Sequence, residues 1–155
     1  MTDSVPTQLT RRSVIGASAG AVFVAATPLA AFATPEEMQA AIRDVFGDRP
    51  LQEGRVTLTL PPIAENGYSV PLDVSVESPM TADDFVQRIA VFSPLNPVAS
   101  LIRFDLGPRA GRASVSTRIR LAGTQTVLAV AETNTGALWT GAAKTVVTLA
   151  ACIVL

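Results

Sequence analysis

Cys152 is the one thiol in the 155-residue chain, and only Ile153-Val154-Leu155 follow it. A thiolate is a strong nucleophile that bonds readily to other sulfur atoms, and no second cysteine exists to trap it in an internal disulfide. In an oxidising compartment such a cysteine points to a reactive or intermolecular role. Its place near the end of the chain suits the covalent carriage of a group. The nearest basic residue in sequence is Lys144, so the segment itself does nothing to lower the thiol from its usual pKa near ~8.5. Activation has to come from a partner's pocket. The residues alone also admit a plainer role, with Cys152 as the last apolar residue of an edge strand.

The remaining candidates for chemistry are few. There is no histidine, which removes the commonest general base and the commonest metal ligand. A Ser-His-Asp or Cys-His mechanism is therefore impossible within this chain. Asp83-Asp84 lacks further carboxylates nearby and reads as a turn cap, so neither a metal site nor a cofactor site is expected. Arg109 and Arg112 flank Gly111 in a loop, and Arg118 and Arg120 follow at alternate positions on one strand face. These four read either as an anion-binding patch or as a solvated face paired with Asp and Glu. Trp139 reads as core or subunit interface. No residue is assigned a catalytic role, and the lack of a basic block argues against nucleic acid.

The first 33 residues carry an address. Arg11-Arg12 precedes an uncharged run from Ser13 to Ala33, rich in Ala, Val, Ile and Gly, that ends in Ala31-Phe32-Ala33. Thr10-Arg11-Arg12-Ser13-Val14-Ile15 resembles a twin-arginine signal, and the alternate small residues suit signal-peptidase cleavage after Ala33. A transmembrane anchor is the alternative, since about 20 apolar residues suffice to span; Gly16, Gly20, Pro28 and the alanine content argue against it. The expected product is a periplasmic domain of residues 34–155, free of the membrane. Loss of Asp3, Arg11 and Arg12 moves its formal charge from −1 to −2.

That length fits one domain. Thr34-Pro35-Glu36-Glu37 reads as a helix start, and Met38, Ile42, Val45 and Phe46 form one apolar stripe before Gly47. Period-2 alternation then takes over in Val56–Leu60 and Val70–Val76. Asn66-Gly67 between them is the preferred pair for a tight hairpin. Further strands are expected over residues 83–92, 101–106, 113–121, 126–131 and 138–152, the first of these with the weakest pattern. Short β segments spaced by Gly, Pro and Asn predict an all-β antiparallel sandwich with a short N-terminal helix.

Phe92-Ser93-Pro94-Leu95-Asn96-Pro97, Gly107-Pro108-Arg109-Ala110-Gly111-Arg112-Ala113-Ser114-Val115-Ser116-Thr117-Arg118-Ile119-Arg120-Leu121-Ala122, Gln125 to Glu132, Leu138-Trp139 and Val147-Thr148-Leu149 before a single cysteine together resemble the SoxY family. The resemblance spans the expected mature chain. It implies an immunoglobulin-like sandwich in a heterodimer with a SoxZ-type subunit, and a C-terminal arm, about residues 148–155, whose Cys152 binds sulfur intermediates covalently. It further implies a carrier rather than an enzyme, serving a c-type cytochrome, a sulfate-releasing hydrolase and a sulfane dehydrogenase in thiosulfate oxidation. One departure stands out. The best-known members end in Gly-Gly-Cys-Gly-Gly, whereas this chain ends in Ala150-Ala151-Cys152-Ile153-Val154-Leu155. The alternative to full carrier activity is a divergent SoxY-like chain or a structural Ig-like interaction module in which Cys152 is incidental.

Overall fold

The computed structural model describes residues 33–150. Helix α1 (Pro35–Phe46) opens it, as its sequence predicts. The Thr34 hydroxyl accepts the Glu37 N–H at 3.2 Å, and the Glu37 carboxylate accepts the Thr34 N–H at 2.8 Å. This reciprocal pair satisfies donors that the first turn leaves without partners. Gly47, at φ +77°, ends the helix.

Nine strands follow: β1 (Leu51–Glu53), β2 (Val56–Thr59), β3 (Ile63–Ala64), β4 (Val70–Val76), β5 (Val86–Phe92), β6 (Ser100–Asp105), β7 (Ala113–Ile119), β8 (Gln125–Thr133) and β9 (Leu138–Val147). One sheet runs β1-β9-β8-β5-β6, with β3 also paired to β9, and the other runs β2-β4-β7. The two pack as an immunoglobulin-like sandwich. Its long pairings are antiparallel, while the short segments β1 and β3 join β9 in parallel.

Burial explains the uneven clarity of the sequence pattern. Strand β4 alternates strictly between buried and exposed because one face of its sheet meets water. The central strands β5 and β8 are covered on both faces. Ile89, Val91, Val127, Ala129 and Ala131 face the other sheet, whereas Ala90, Phe92 and Val130 pack against Ile42 and Phe46 of α1. A strand buried on both sides loses period-2 alternation, which is why residues 83–92 gave the weakest signal.

Charged groups fasten the helix to this face. Arg49 bonds the Phe46 carbonyl at 2.7 Å and the buried Glu132 carboxylate at 2.6 Å. Arg88 bonds the Val45 carbonyl at 3.3 Å and Asp105 at 3.0 Å. The hydrogen bond from Arg88, aided by Arg103, holds the exposed Asp105 carboxyl below the usual carboxylate range. A depressed value means that this tie is present at neutral pH and is lost as pH falls through it.

The passage from the first sheet to the second is tight. Gly54 and Arg55 both take positive φ, +106° and +53°, and turn the chain so that Val56 lies directly over Gly141 of β9. A Cβ at Gly141 would collide with the Val56 carbonyl and lie 3.2 Å from its Cβ. Arg55 stacks on Trp139 at 4.6 Å from the ring centroid, closing the same corner. Trp139 is thus a half-buried sheet residue. Gly141→Ala is expected to destabilise the fold by about 1–3 kcal/mol through overpacking, read as a lower urea midpoint. An unchanged midpoint would contradict the close approach.

Candidate functional site

The approach to Cys152 starts where β9 ends. β9 stops at Val147, short of the strand to 152 that the sequence predicts, but the backbone remains held for two more residues. The Thr145 hydroxyl donates to the Pro61 carbonyl at 2.7 Å and the Val146 N–H to the Pro62 carbonyl at 2.9 Å. The Thr148 N–H donates to the Ala64 carbonyl at 3.1 Å, its hydroxyl to the Glu65 carbonyl, and the Gly67 N–H to the Leu149 carbonyl at 2.7 Å. Residues 145–149 are thereby zipped to residues 61–67.

This zip corrects the expected hairpin. Asn66-Gly67 does not join β2 to β4 as a tight turn. The chain leaves β2, crosses to the other sheet as β3, and returns through an Asx turn in which the Asn66 side chain accepts the Tyr68 N–H at 3.1 Å. A two-residue turn would close β2 on β4 more economically. The detour instead supplies the backbone groups that hold the end of β9.

A second brace grips the other side of the same root. Thr124 accepts the Val147 N–H at 3.0 Å and bonds the Val147 carbonyl at 3.4 Å. Thr124 adjoins Gln125 in the chain, and Gln125 is part of a buried polar hub with Ser93 and Asn96. The Asn96 Oδ1 accepts from the Ala122 N–H at 3.0 Å and from Gln125 Nε2 at 3.1 Å, while its Nδ2 donates to the Arg120 carbonyl at 2.7 Å. The Ser93 hydroxyl bonds Gln125 Oε1 and accepts the Asn96 N–H at 3.1 Å. Read locally, Asn96-Pro97 marks no more than a turn. Its partners lie 24 to 29 residues away, a separation no local pattern reveals. The signal that did exist was the Phe92–Pro97 segment itself, quoted above for its resemblance.

Cys152 lies outside the described residues. At the ~3.3–3.6 Å per residue of an extended chain, its Cα is at most about 11 Å from that of Leu149. Ile63, Val146, Tyr68 and Leu149, at 64%, 42%, 54% and 58% exposure, surround the root with apolar side chains left open to solvent.

The other candidates are divided by the fold. Arg109 and Arg112 sit in and beside the 3-10 turn Pro108–Ala110, before the start of β7, whereas Arg118 and Arg120 lie at its end. Five residues of strand, Ala113 to Thr117, lie between Arg112 and Arg118, about 20 Å of chain, so the four form no single patch. Arg118 bonds the Ser69 carbonyl and hydroxyl, both at 3.2 Å, in place of the expected carboxylate. The carboxylate pairs fall instead to Arg49, Arg88 and Arg103. Asp83-Asp84 does lie at a turn, through main-chain atoms: the Asp84 N–H donates to the Thr81 hydroxyl at 3.2 Å, and the Asp83 carbonyl accepts from Asn134 at 3.0 Å. Among the described residues no group of three or more His, Cys, Asp or Glu side chains gathers. An open cleft of about 460 Å³ between Thr34, Pro94, Leu95 and Thr124–Thr126 is lined without a titratable side chain.

What the arrangement offers is a two-sided anchor for a short C-terminal segment on an immunoglobulin-like sandwich. The family model described as sulfur oxidation protein SoxY matches residues 42–152, a span that takes in the anchor and ends on Cys152. The sulfur carrier protein SoxY from Chlorobium limicola f thiosulfatophilum is 31% identical, with a TM-score of 0.63, and the match covers 74% of this chain and 98% of that one. The chain belongs to the SoxY family. A superoxide reductase (neelaredoxin) from Ignicoccus hospitalis, 20% identical with a TM-score of 0.54 over 75% of this chain and 94% of that one, shares the fold. So does a putative superoxide reductase from Thermotoga maritima, 20% identical with a TM-score of 0.54 over 63% and 93%. No curated protein sequence matches the chain.

Asn96→Ala removes the acceptor of the buried Ala122 N–H and the Asn96 donor to the Arg120 carbonyl, at about 1–3 kcal/mol for each orphaned group, while Gln125 Nε2 keeps the Gly123 carbonyl at 3.3 Å. Urea denaturation at neutral pH is expected to show that loss, and a loss for Asn96→Asp as well, which keeps one acceptor oxygen but sets a second, in place of the donor Nδ2, against the Arg120 carbonyl. Equal stability of all three proteins would contradict the hub.

Proposed function

We propose that this chain is an exported sulfur-carrier subunit that holds sulfur-oxidation intermediates on Cys152 and presents them to partner enzymes. The observation that carries the reading is the SoxY match running through the anchored root of the arm to Cys152. The anchor supports it physically. A carrier has to offer its cargo on a short segment whose origin is fixed, so that a partner's channel meets the thiol at a defined distance from a rigid body. Hydrogen bonds from residues 61–67 and from Thr124 fix that origin at Leu149.

The chemistry asks nothing of this chain beyond a thiolate. In the loading step Cys152–S⁻ joins thiosulfate to form Cys152–S–S–SO₃⁻, and a c-type cytochrome partner accepts the two electrons released. Water then cleaves the S–SO₃ bond in a hydrolase, giving sulfate, two protons and Cys152–S–S⁻, whose sulfane sulfur is left for a dehydrogenase to oxidise. The absence of histidine leaves base and acid to those partners. A SoxZ-type subunit completes the particle in this reading, against a surface that includes sheet edges β6 and β7.

The small residues Ala150 and Ala151 keep the approach to the thiol narrow, while Ile153-Val154-Leu155 is bulkier than glycine on the far side. Partner channels that accept this arm therefore have to admit branched side chains beyond the sulfur. Cys152→Ser is expected to abolish thiosulfate-dependent electron transfer in a reconstituted system while leaving the free energy of unfolding, read by urea denaturation, within roughly ±0.5 kcal/mol of wild type. Wild-type turnover by the serine protein would overturn the carrier reading.

Export is part of the same proposal, by the twin-arginine route to the periplasm with cleavage after Ala33. Processing there removes the Ala33 N–H bond to the Asn96 carbonyl but leaves the helix cap, whose donor is the nitrogen of Thr34 itself. Replacing Arg11 and Arg12 by lysine is expected to leave unprocessed precursor in the cytoplasm. Normal processing of that variant would exclude the route.

A further inference from the structure

We propose that the bond to be cut at the end of the signal, Ala33–Thr34, is shielded by the folded domain, so that processing waits on local opening at the start of α1. This inference rests on the reading that cleavage falls after Ala33; the shielding itself is read from the fold. Ala33 is buried, at 7% exposure. It sits between two clefts, one lined by Ala40, Ala41 and Val98, the other by Pro94 and Leu95. Its N–H donates to the Asn96 carbonyl at 2.9 Å. The residue whose side chain a peptidase has to accept is therefore wedged between α1 and the loop of residues 94–99.

The other side of the bond is held as well. The Thr34 N–H donates to the Glu37 carboxylate at 2.8 Å, and the Thr34 hydroxyl accepts the Glu37 N–H at 3.2 Å. The Thr34 carbonyl accepts the Met38 N–H at 2.9 Å. Pro35 biases the residue before it toward extended backbone, and Thr34 has φ −100° and ψ 166°. That is the shape a peptidase needs, but the main-chain groups that would pair with the enzyme are already paired within the domain. An enzyme that grips its substrate as an added strand relies on those groups. To free them, the Asn96 bond and the reciprocal Thr34–Glu37 pair have to break while the strands beneath stay folded. The ends of elements open at a small fraction of the free energy of global unfolding, so the bond is gated and not sealed.

When opening and reclosing are fast relative to cutting, the rate of cutting follows the population of the open form. A domain exported already folded then stays on its signal until the gate opens. The gate adjoins the buried hub, because Asn96 holds Ala33 through its carbonyl and holds Ala122 and Gln125 through its side chain. Cutting makes the change one-way. Hydrolysis turns the Thr34 nitrogen into an ammonium opposite the Glu37 carboxylate, and the Asn96 carbonyl loses its Ala33 donor.

The test follows cleavage of the full precursor, purified folded in detergent, by a signal peptidase that cuts after small residues, with the product read by intact mass. A spacer chain carries Thr-Gly-Ser-Gly inserted between Ala33 and Thr34, which keeps an Ala-Thr bond, moves it off the body and leaves the Thr34–Glu37 pair in place. The spacer chain is expected to be cut about tenfold faster than wild type, or more. Glu37→Ala, which takes the carboxylate from the Thr34 N–H, is expected to be cut about threefold faster or more. Glu37→Gln, which keeps an acceptor oxygen, is expected to stay near wild type, as is Glu36→Ala. Glu37→Ala placed in the spacer chain is expected to leave its rate unchanged, because that bond is already exposed; this arm separates release of the gate from damage to the fold. Cutting of wild type and spacer chain at one rate overturns the inference and leaves the cleavage reading standing. Equal acceleration by Glu36→Ala, or by Glu37→Ala within the spacer chain, also overturns the inference. A spacer chain never cut at its Ala-Thr bond overturns the cleavage reading, and this inference with it.

Discussion

Everything distinctive in this structure depends on how the end of β9 is held. A C-terminal segment is ordinarily the first part of a domain to fray, because few contacts cross it. Here residues 145–149 are bonded to residues 61–67 on one side, and Val147 is bonded by Thr124 on the other. The polypeptide makes the β3 detour, with its own backbone groups as the only partners on offer, to provide one side. The buried hub of Ser93, Asn96 and Gln125 steadies the other. The cost is a loop that runs between sheets, and the result is a fixed origin for the three residues that lead to the thiol.

The rest of the sandwich is built to resist load at that origin. α1 covers the outer face of β5 and β8, the strands that adjoin β9 through β8, and its last turn is tied down by Arg49 and Arg88. At the opposite end of β9, Gly141 lets Val56 lie against the strand, and Arg55 covers Trp139. β9 is thus gripped along its length by β8, β1, β3 and the β1–β2 corner. The class of chemistry proposed for Cys152 needs this stiffness because the reacting groups belong to other proteins.

Much of the architecture was legible in the sequence because it is written locally. Thr34, Pro35 and the glutamates announce a helix, and Val70, Leu72, Val74 and Val76 announce a strand with one wet face. The family resemblance was legible for a different reason, since it rests on runs such as Phe92–Pro97 and Gly107–Ala122 that local physics does not explain. Those runs are where the non-local bonds sit. Asn96 reaches Arg120, Ala122 and Gln125 across two strands, and no period or propensity encodes such a pairing. Asn66-Gly67 misled for the same reason, because the value of the detour lies in its contact with residues some 80 positions later. The four arginines looked like one group in sequence, and only strand β7 shows that two of them belong to each end.

The central claim is that Cys152 carries sulfur, and intact-mass spectrometry of the processed protein from cells oxidising thiosulfate tests it most directly. The account predicts a population heavier than the bare chain by sulfane or thiosulfonate groups, localised to the peptide containing Cys152 and removed by a thiol reductant. A chain found only as the free thiol under those conditions would contradict it.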